Sequence, residues 1–206
     1  AYSDPEIKAF LDREGISYVY AKNEDAVLDH TVEALVSGKV VGWYQGRFEW
    51  GPRALGNRSI LADPRREEMK DVVNTKIKFR EPYRSFAPSI LAEETEKYFD
   101  LPQAMKQDPA RFMLLVTPVK EEKQDVLPAI THVDGTGRLQ TVFEDTNPRY
   151  YHLIERFGQA TGVPVLLNTS FNLRGEPVVT TPANAYSTFS RSEMDLLVMG
   201  KYLVYK

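Results

Sequence analysis

The sequence predicts an α/β domain: a mixed, twisted sheet with flanking helices. Two observations carry that expectation. Short apolar runs recur along the chain, bounded by Gly, Pro, Asn and Asp, at lengths that suit buried strands. Between them lie segments with apolar residues at helical spacing, so strands and helices interleave. At 206 residues and 42% hydrophobic content the chain can bury a core as a single domain, 1–206.

The elements follow in order. Ser3-Asp-Pro-Glu supplies a cap and a proline at a first helical position, and Gly15 stops that helix. Ser17–Ala21 reads as a strand. Glu24–Ser37 places Ala26, Val27, Thr31, Ala34 and Leu35 on one face before Gly38, an amphipathic helix. Residues 1–38 thus form a leading helix-strand-helix segment. Strands are expected at Val40–Tyr44 and Ser59–Ala62, then a helix near Glu67–Asn74. Further strands fall at Phe86–Leu91, Phe112–Val119, Ala129–His132 and Leu139–Phe143. Asn147–Thr161 is a helix ended by Gly162, and Pro164–Leu167 a wholly apolar strand. Thr181–Ser190 is a helix, and Leu196–Met199 with Tyr202–Tyr205 close the sheet. Leu101–Arg111 and Glu121–Asp125 are expected to be the least ordered stretches.

Composition removes several function classes. With no cysteines there are no disulfides, thiolate metal sites or cysteine nucleophiles. The three histidines, His30, His132 and His152, lack a close metal-binding spacing. No apolar stretch approaches the roughly 20 residues of a membrane span and no signal peptide is visible, so a cytoplasmic location is expected. A pI near 5.7 disfavours a dedicated nucleic-acid binder.

The richest stretch is Tyr44-Gln-Gly-Arg-Phe-Glu-Trp-Gly-Pro-Arg-Ala-Leu-Gly-Asn-Arg-Ser-Ile-Leu-Ala-Asp-Pro-Arg65. Its glycines (Gly46, Gly51, Gly56) allow tight turns and close approach to a ligand. The arginines between its two apolar runs (Arg47, Arg53, Arg58) are planar, permanently charged forks suited to phosphate or carboxylate. Lys76, Lys78, Arg80 and Arg84 follow. From Gly46 to Arg84 ten Lys and Arg face six Asp and Glu, a local +4 in a chain of net −3. That concentration points to an anion site, although a Gly-Arg loop can also be an ordinary solvated connection.

Two later segments add polar groups. Thr131-His-Val-Asp-Gly-Thr-Gly-Arg-Leu-Gln-Thr141 is a turn carrying His132, Asp134, Thr136 and Arg138, and strand alternation puts Arg138 and Gln140 on one face. Asn168-Thr-Ser-Phe-Asn-Leu-Arg-Gly-Glu-Pro177 follows a buried strand, where α/β sheets commonly bind ligands. Each also has a structural reading, as a hairpin tip and as the caps of a wide turn. No Gly-x-Ser-x-Gly elbow, Walker loop or Gly-x-Gly-x-x-Gly occurs, which disfavours covalent catalysis.

Gly46–Arg65, Asn74–Pro88, Thr131–Thr141, Asn168–Pro177 and the tail Asp195-Leu-Leu-Val-Met-Gly200 together resemble the carboxy-terminal domain of the nodulation and antibiotic O-carbamoyltransferases, in the expected order. One departure is Ser85, where that pattern has a proline. The resemblance implies a YrdC-like fold, similar to threonylcarbamoyl-adenylate synthase. It implies a domain that takes carbamoyl phosphate and ATP, with Mg²⁺ arriving on the nucleotide, toward a carbamoyl-adenylate. A separate amino-terminal domain of the actin-like ATPase superfamily, carrying a histidine-bound metal, then transfers the carbamoyl group to a hydroxyl. That domain is expected to lie outside this chain.

Polyanionic substrates demand charge neutralisation and alignment. Lys76, Arg80 and His132 are the expected catalytic residues. Arg53, Arg58, Ser59, Arg84, Asp134, Thr136, Arg138, Asn168, Ser170 and Asn172 are the expected substrate-binding residues, with no protein-held metal. Arg58 in particular should face a ligand from a rigid strand end. The competing reading is a non-catalytic nucleotide- or RNA-binding module that docks a partner domain, with Phe48, Trp50, Phe79, Tyr83 and Phe86 available to stack bases.

Overall fold

A strand that is apolar on both faces has to be covered on both faces, and that requirement shapes the molecule. The computed structural model describes residues 1–206. Nine strands form one mixed sheet: β1 (Val19–Tyr20), β2 (Val41–Tyr44), β3 (Arg58–Ala62), β4 (Ala87–Leu91), β5 (Leu115–Pro118), β6 (Thr136–Val142), β7 (Val165–Ser170), β8 (Leu196–Met199) and β9 (Tyr202–Tyr205). Their order across the sheet is β1-β9-β8-β2-β3-β7-β4-β6-β5. Only β2 with β8 and β4 with β6 run parallel.

Alternation along each strand feeds two cores. Val41 and Trp43 of β2, Leu61 of β3 and Leu166 of β7 face one side of the sheet, and Tyr44, Ile60 and Leu167 face the other. Helix α1 (Asp4–Arg13) covers one face with Ile7, Phe10 and Leu11, against Tyr44, Ile60 and Leu167. Helix α2 (Glu24–Val36) covers the other with Val27, Leu28 and Leu35, against Val41, Trp43, Leu61 and Leu166. A short α3 (Glu68–Asp71) runs on as a π-helical turn, Val72–Ile77. Short helical turns α4 (Thr95–Tyr98), α5 (Asp108–Arg111) and α6 (Glu121–Gln124) lie in the long connection between β4 and β6. Helix α7 (Pro148–Thr161) joins α2 through Leu153, Ile154 and Phe157, and α8 (Pro182–Ser190) joins α1's face through Ala185 and Phe189.

Several expected elements differ. Ala129–His132 is not a strand: Ala129 and Ile130 are buried, but the Ile130 and Thr131 amides bond to Leu127 O in a local turn. An apolar run buries equally well in a turn whose backbone is satisfied. The expected strand from Phe112 begins only at Leu115, because Met113 adopts a left-handed φ of 56° that breaks extension. Leu101–Arg111 and Glu121–Asp125 are ordered into short helical turns rather than irregular coil. The helix expected over Glu67–Asn74 continues to Ile77 with π geometry.

The strand ends set the site. The carboxyl ends of β2 and β7 meet the amino ends of β3, β4 and β6 at one end of the sheet's interior strands. The β2–β3, β7–α8 and π-turn–β4 connections therefore gather there.

Candidate functional site

The glycine-rich connection is held down before it can hold anything else. Glu49 accepts hydrogen bonds from the amides of Leu55 (2.6 Å), Asn57 (2.9 Å) and Arg58 (3.0 Å). Trp43 Nε1 and Gln45 Nε2 both donate to Gly56 O. A β-carbon on Gly56 would lie 2.2 Å from the Tyr150 ring, and its φ of +105° suits only glycine. A buried amide-hydroxyl cluster on three adjacent strands completes the seat. Ser89 Oγ donates to Gln140 Oε1 (2.6 Å), and Asn168 Nδ2 donates to Ser89 Oγ (3.0 Å) and to Ala54 O (3.1 Å). Gln140 Nε2 donates to Leu55 O. Arg138 and Gln140 do share one face of β6, two residues apart.

Above this seat lies a recess of about 100 Å³, lined by Arg53, Arg80, Arg138, Ser85, Asn168 and Ser170 among others. An adjoining hollow, lined by Lys78, Arg80, Arg84, Asn172 and Arg174, shares Arg80 and Ser170 with it. Six basic side chains from three connections and one strand thus surround one basin, with Glu81 as the nearby carboxylate, paired to Arg84 at 3.0 Å. Burial, then the neighbouring arginines, holds the Arg80 and Arg138 guanidiniums below their ordinary range. Arg138 Nε and Asn168 Oδ1 are buried here without hydrogen-bond partners. Such uncompensated like charge is costly to an empty fold and suits an anion.

Lys78 was not expected in the site. It is nearly buried, and its Nζ donates to Ser170 O, Asn172 O (3.0 Å) and Asn172 Oδ1 (2.7 Å). Burial, with Arg80 beside it, pushes its ammonium down to about 7. Lys76, the expected catalytic lysine, instead reaches Glu193 at 3.6 Å on the surface. The π-turn is the reason. The Lys78 amide bonds to Val73 O, five residues back, so an extra residue in the turn rotates Lys78 inward and Lys76 outward. Asn74 then fixes the following loop, bonding Pro82 O, Arg84 O and, through its Oδ1, Arg80 Nε (2.7 Å). Phe79 (φ 49°) and Met113 (φ 56°), two of the three non-glycine residues with positive φ, sit beside or in the basin.

Other expected site residues lie elsewhere. Arg58 is 1% exposed and faces the core side of β3. Its guanidinium stacks 3.7 Å over the Tyr44 ring and donates to the carbonyls of Gln45, Asn57 and Gly46. Ser59 is fully buried, and its Oγ accepts from the Gly56 amide. His132, Asp134 and Thr136 close the turn before β6: Thr136 Oγ1 donates to Asp134 Oδ1 (2.7 Å) and lies 3.1 Å from His132 Nδ1. None of the three lines the basin. Burial, and then Arg138 and Lys70, holds the His132 imidazole below its usual range despite Asp134. No three His, Cys, Asp or Glu side chains converge as a metal cage. A larger groove of about 670 Å³ between α2 and α7 carries Asp29, Glu33 and Glu155 against Arg156 alone, the wrong net charge for phosphate.

The carbamoyltransferase C-terminus family model matches residues 32–206. The chain belongs to this family. As a carbamoyltransferase C-terminal domain, it is 51% identical over 182 residues to nodulation protein NolNO of Sinorhizobium fredii, covering 88% of this chain and 26% of that protein. It is 40% identical over 182 residues to the 3'-hydroxymethylcephem-O-carbamoyltransferase of Streptomyces clavuligerus, covering 87% of this chain and 33% of that one. The chain spans roughly a quarter to a third of these relatives. Its fold resembles full-length HypF, solved in a phosphate- and nucleotide-bound form (TM-score 0.59, 18% identity, 86% of this chain and 25% of HypF). It also resembles Sua5 of P. abyssi (TM-score 0.58, 15% identity, 87% of this chain and 50% of Sua5). The fold is therefore the expected YrdC-like one. No helix is long and apolar enough to cross a membrane.

Proposed function

We propose that the basin binds the phosphate groups of ATP and carbamoyl phosphate and supports formation of a carbamoyl-adenylate. The observation that carries this is the gathering of Arg53, Arg80 and Arg138 in one recess and of Lys78 and Arg84 in the hollow that adjoins it, at the carboxyl end of β7. Carbamoyl phosphate loses phosphate to water, giving carbamate. A carbamate oxygen attacks the α-phosphorus of ATP, the bond to the bridging oxygen breaks, and pyrophosphate leaves with its electron pair. Charge builds on the phosphate oxygens, so the protein's contribution is alignment and neutralisation by fixed cations.

Within this reading, Arg80 and Arg138 hold phosphate oxygens, and Lys78, fixed by Ser170 and Asn172, supplies a mobile proton and charge. Mg²⁺ arrives with the nucleotide's own phosphates. Transfer to a hydroxyl acceptor belongs to a further domain such as the relatives' additional length provides. The test is calorimetric binding of ATP, with competition by pyrophosphate, and carbamoyl phosphate-dependent exchange of pyrophosphate into ATP. ATP binding that pyrophosphate does not displace, with no exchange, sinks the reading.

A further inference from the structure

The basin accounts for phosphate but offers nothing to a base. Its apolar wall residues, Ala54, Phe86, Ala87 and Met113, are all buried and present almost no surface to a ligand. The two segments that supply most of its basic residues, however, also carry four exposed aromatic side chains: Phe48 and Trp50 on the glycine-rich connection, and Phe79 and Tyr83 among the residues from Lys78 to Arg84. Trp50 stands apart, at 99% exposed, two residues before Pro52 and three before Arg53 in the recess wall. It sits at the tip of a loop whose stems are fixed by Glu49, Gln140 and Asn168. The tip itself contains Gly51, with φ +94° and open space around it.

The geometry points to Trp50 as the stacking platform for the nucleobase of a nucleotide whose phosphates lie in the basin. This rests on the anion-binding reading above. An indole face pairs with any base through its π-surface, and the gain is largest where the base has no other apolar contact. A rigid stem with a glycine at the tip lets the indole lie over the base while Arg53, on the same connection, stays in the wall.

The chain has two tryptophans, which makes the inference readable. Trp43 is fully buried, its Nε1 bonded to Gly56 O, so Trp50 is the one an external quencher reaches. Saturating ATP should protect the emission from acrylamide and shift it, whereas tripolyphosphate should do neither. Trp50→Ala should weaken ATP binding on the order of 5- to 150-fold and leave tripolyphosphate affinity unchanged, with Trp50→Phe intermediate. Because Trp50 is wholly exposed, the melt of each variant should match the parent. Unaltered ATP affinity in Trp50→Ala, or quenching of Trp50 undiminished by ATP, overturns this inference while leaving the phosphate basin standing. Failure of the parent protein to bind either ATP or tripolyphosphate overturns both.

Discussion

Arg53 and Arg58 come from the same glycine-rich connection, five residues apart, and do opposite work. Arg53 lines the recess opposite Arg138, where like charges crowd. Arg58 is sealed inside, its guanidinium spent on Tyr44 and on the carbonyls of Gln45, Asn57 and Gly46. One arginine keeps the charge unspent, and the other uses it to bind its own backbone. Residue type and neighbourhood in sequence do not separate the two; the strand register does. Arg58 lies in β3, which is buried on both faces, and shares the covered face of Ile60 and Ala62, whereas Arg53 precedes the strand.

The largest break in this comparison is expected from Arg58→Ala. Removing a buried guanidinium takes the donor from the Gln45 and Gly46 carbonyls, while Asn57 O keeps the Gln45 amide, and opens space beside Tyr44, at a cost of about 3 kcal/mol. Urea denaturation should show that loss, while Arg53→Ala stays within about 0.5 kcal/mol of the parent. Normal stability for Arg58→Ala, combined with lost ATP binding, would reverse the assignment and return Arg58 to the ligand.

Arg80→Ala tests the other half. A charged hydrogen bond to phosphate contributes about 1.5–3 kcal/mol, so ATP and pyrophosphate should bind roughly 10- to 150-fold more weakly by calorimetry. Arg80→Lys should recover little, since an ammonium lacks the planar fork. Equal affinity in Arg80→Ala and the parent would show that the crowded cations serve the fold.

Lys78 sharpens the comparison through pH. Its ammonium lies near 7 in the folded chain, against an ordinary lysine near 10.5. An anion favours the protonated form, so affinity for sulfate, whose charge is constant here, should fall above pH 7 by up to about tenfold per unit. Stability runs the other way. Between about 7 and 10.5 the unfolded chain binds the extra proton, so this group's contribution to folding rises with pH. Lys78→Met should flatten both profiles; a sulfate titration that keeps its slope in the variant assigns the slope to another group.

Much of this was legible in the residues. The apolar runs marked β2, β3, β4, β7, β8 and β9, the stops at Gly15, Gly38 and Gly162 marked three of the longer helices, and local charge marked the basin's neighbourhood. What was hidden depends on register and closure. Spacing treats Lys76 and Lys78 alike until the π-turn adds a residue. The turn at His132, Asp134 and Thr136 looked like a reactive cluster because its residue types also satisfy a hairpin's own hydrogen bonds. Its place in β3, a strand buried on both faces, was the one available signal that Arg58 is enclosed.

The smallest effect, and the most direct check on the π-turn, is Lys76→Ala. Lys76 and Glu193 pair at 3.6 Å with both side chains more than half exposed, and such surface pairs contribute about 0.2–1 kcal/mol or nothing measurable. Stability should therefore move by a fraction of that amount, and sulfate affinity by less than about twofold once long-range screening is included. The same substitution at Lys78 removes four contacts to Ser170 and Asn172 and a charge facing the basin. If instead Lys76→Ala weakens sulfate binding tenfold while Lys78→Ala does not, the segment winds as a regular helix in solution. The inward lysine is then Lys76, and the basin has to be rebuilt around it.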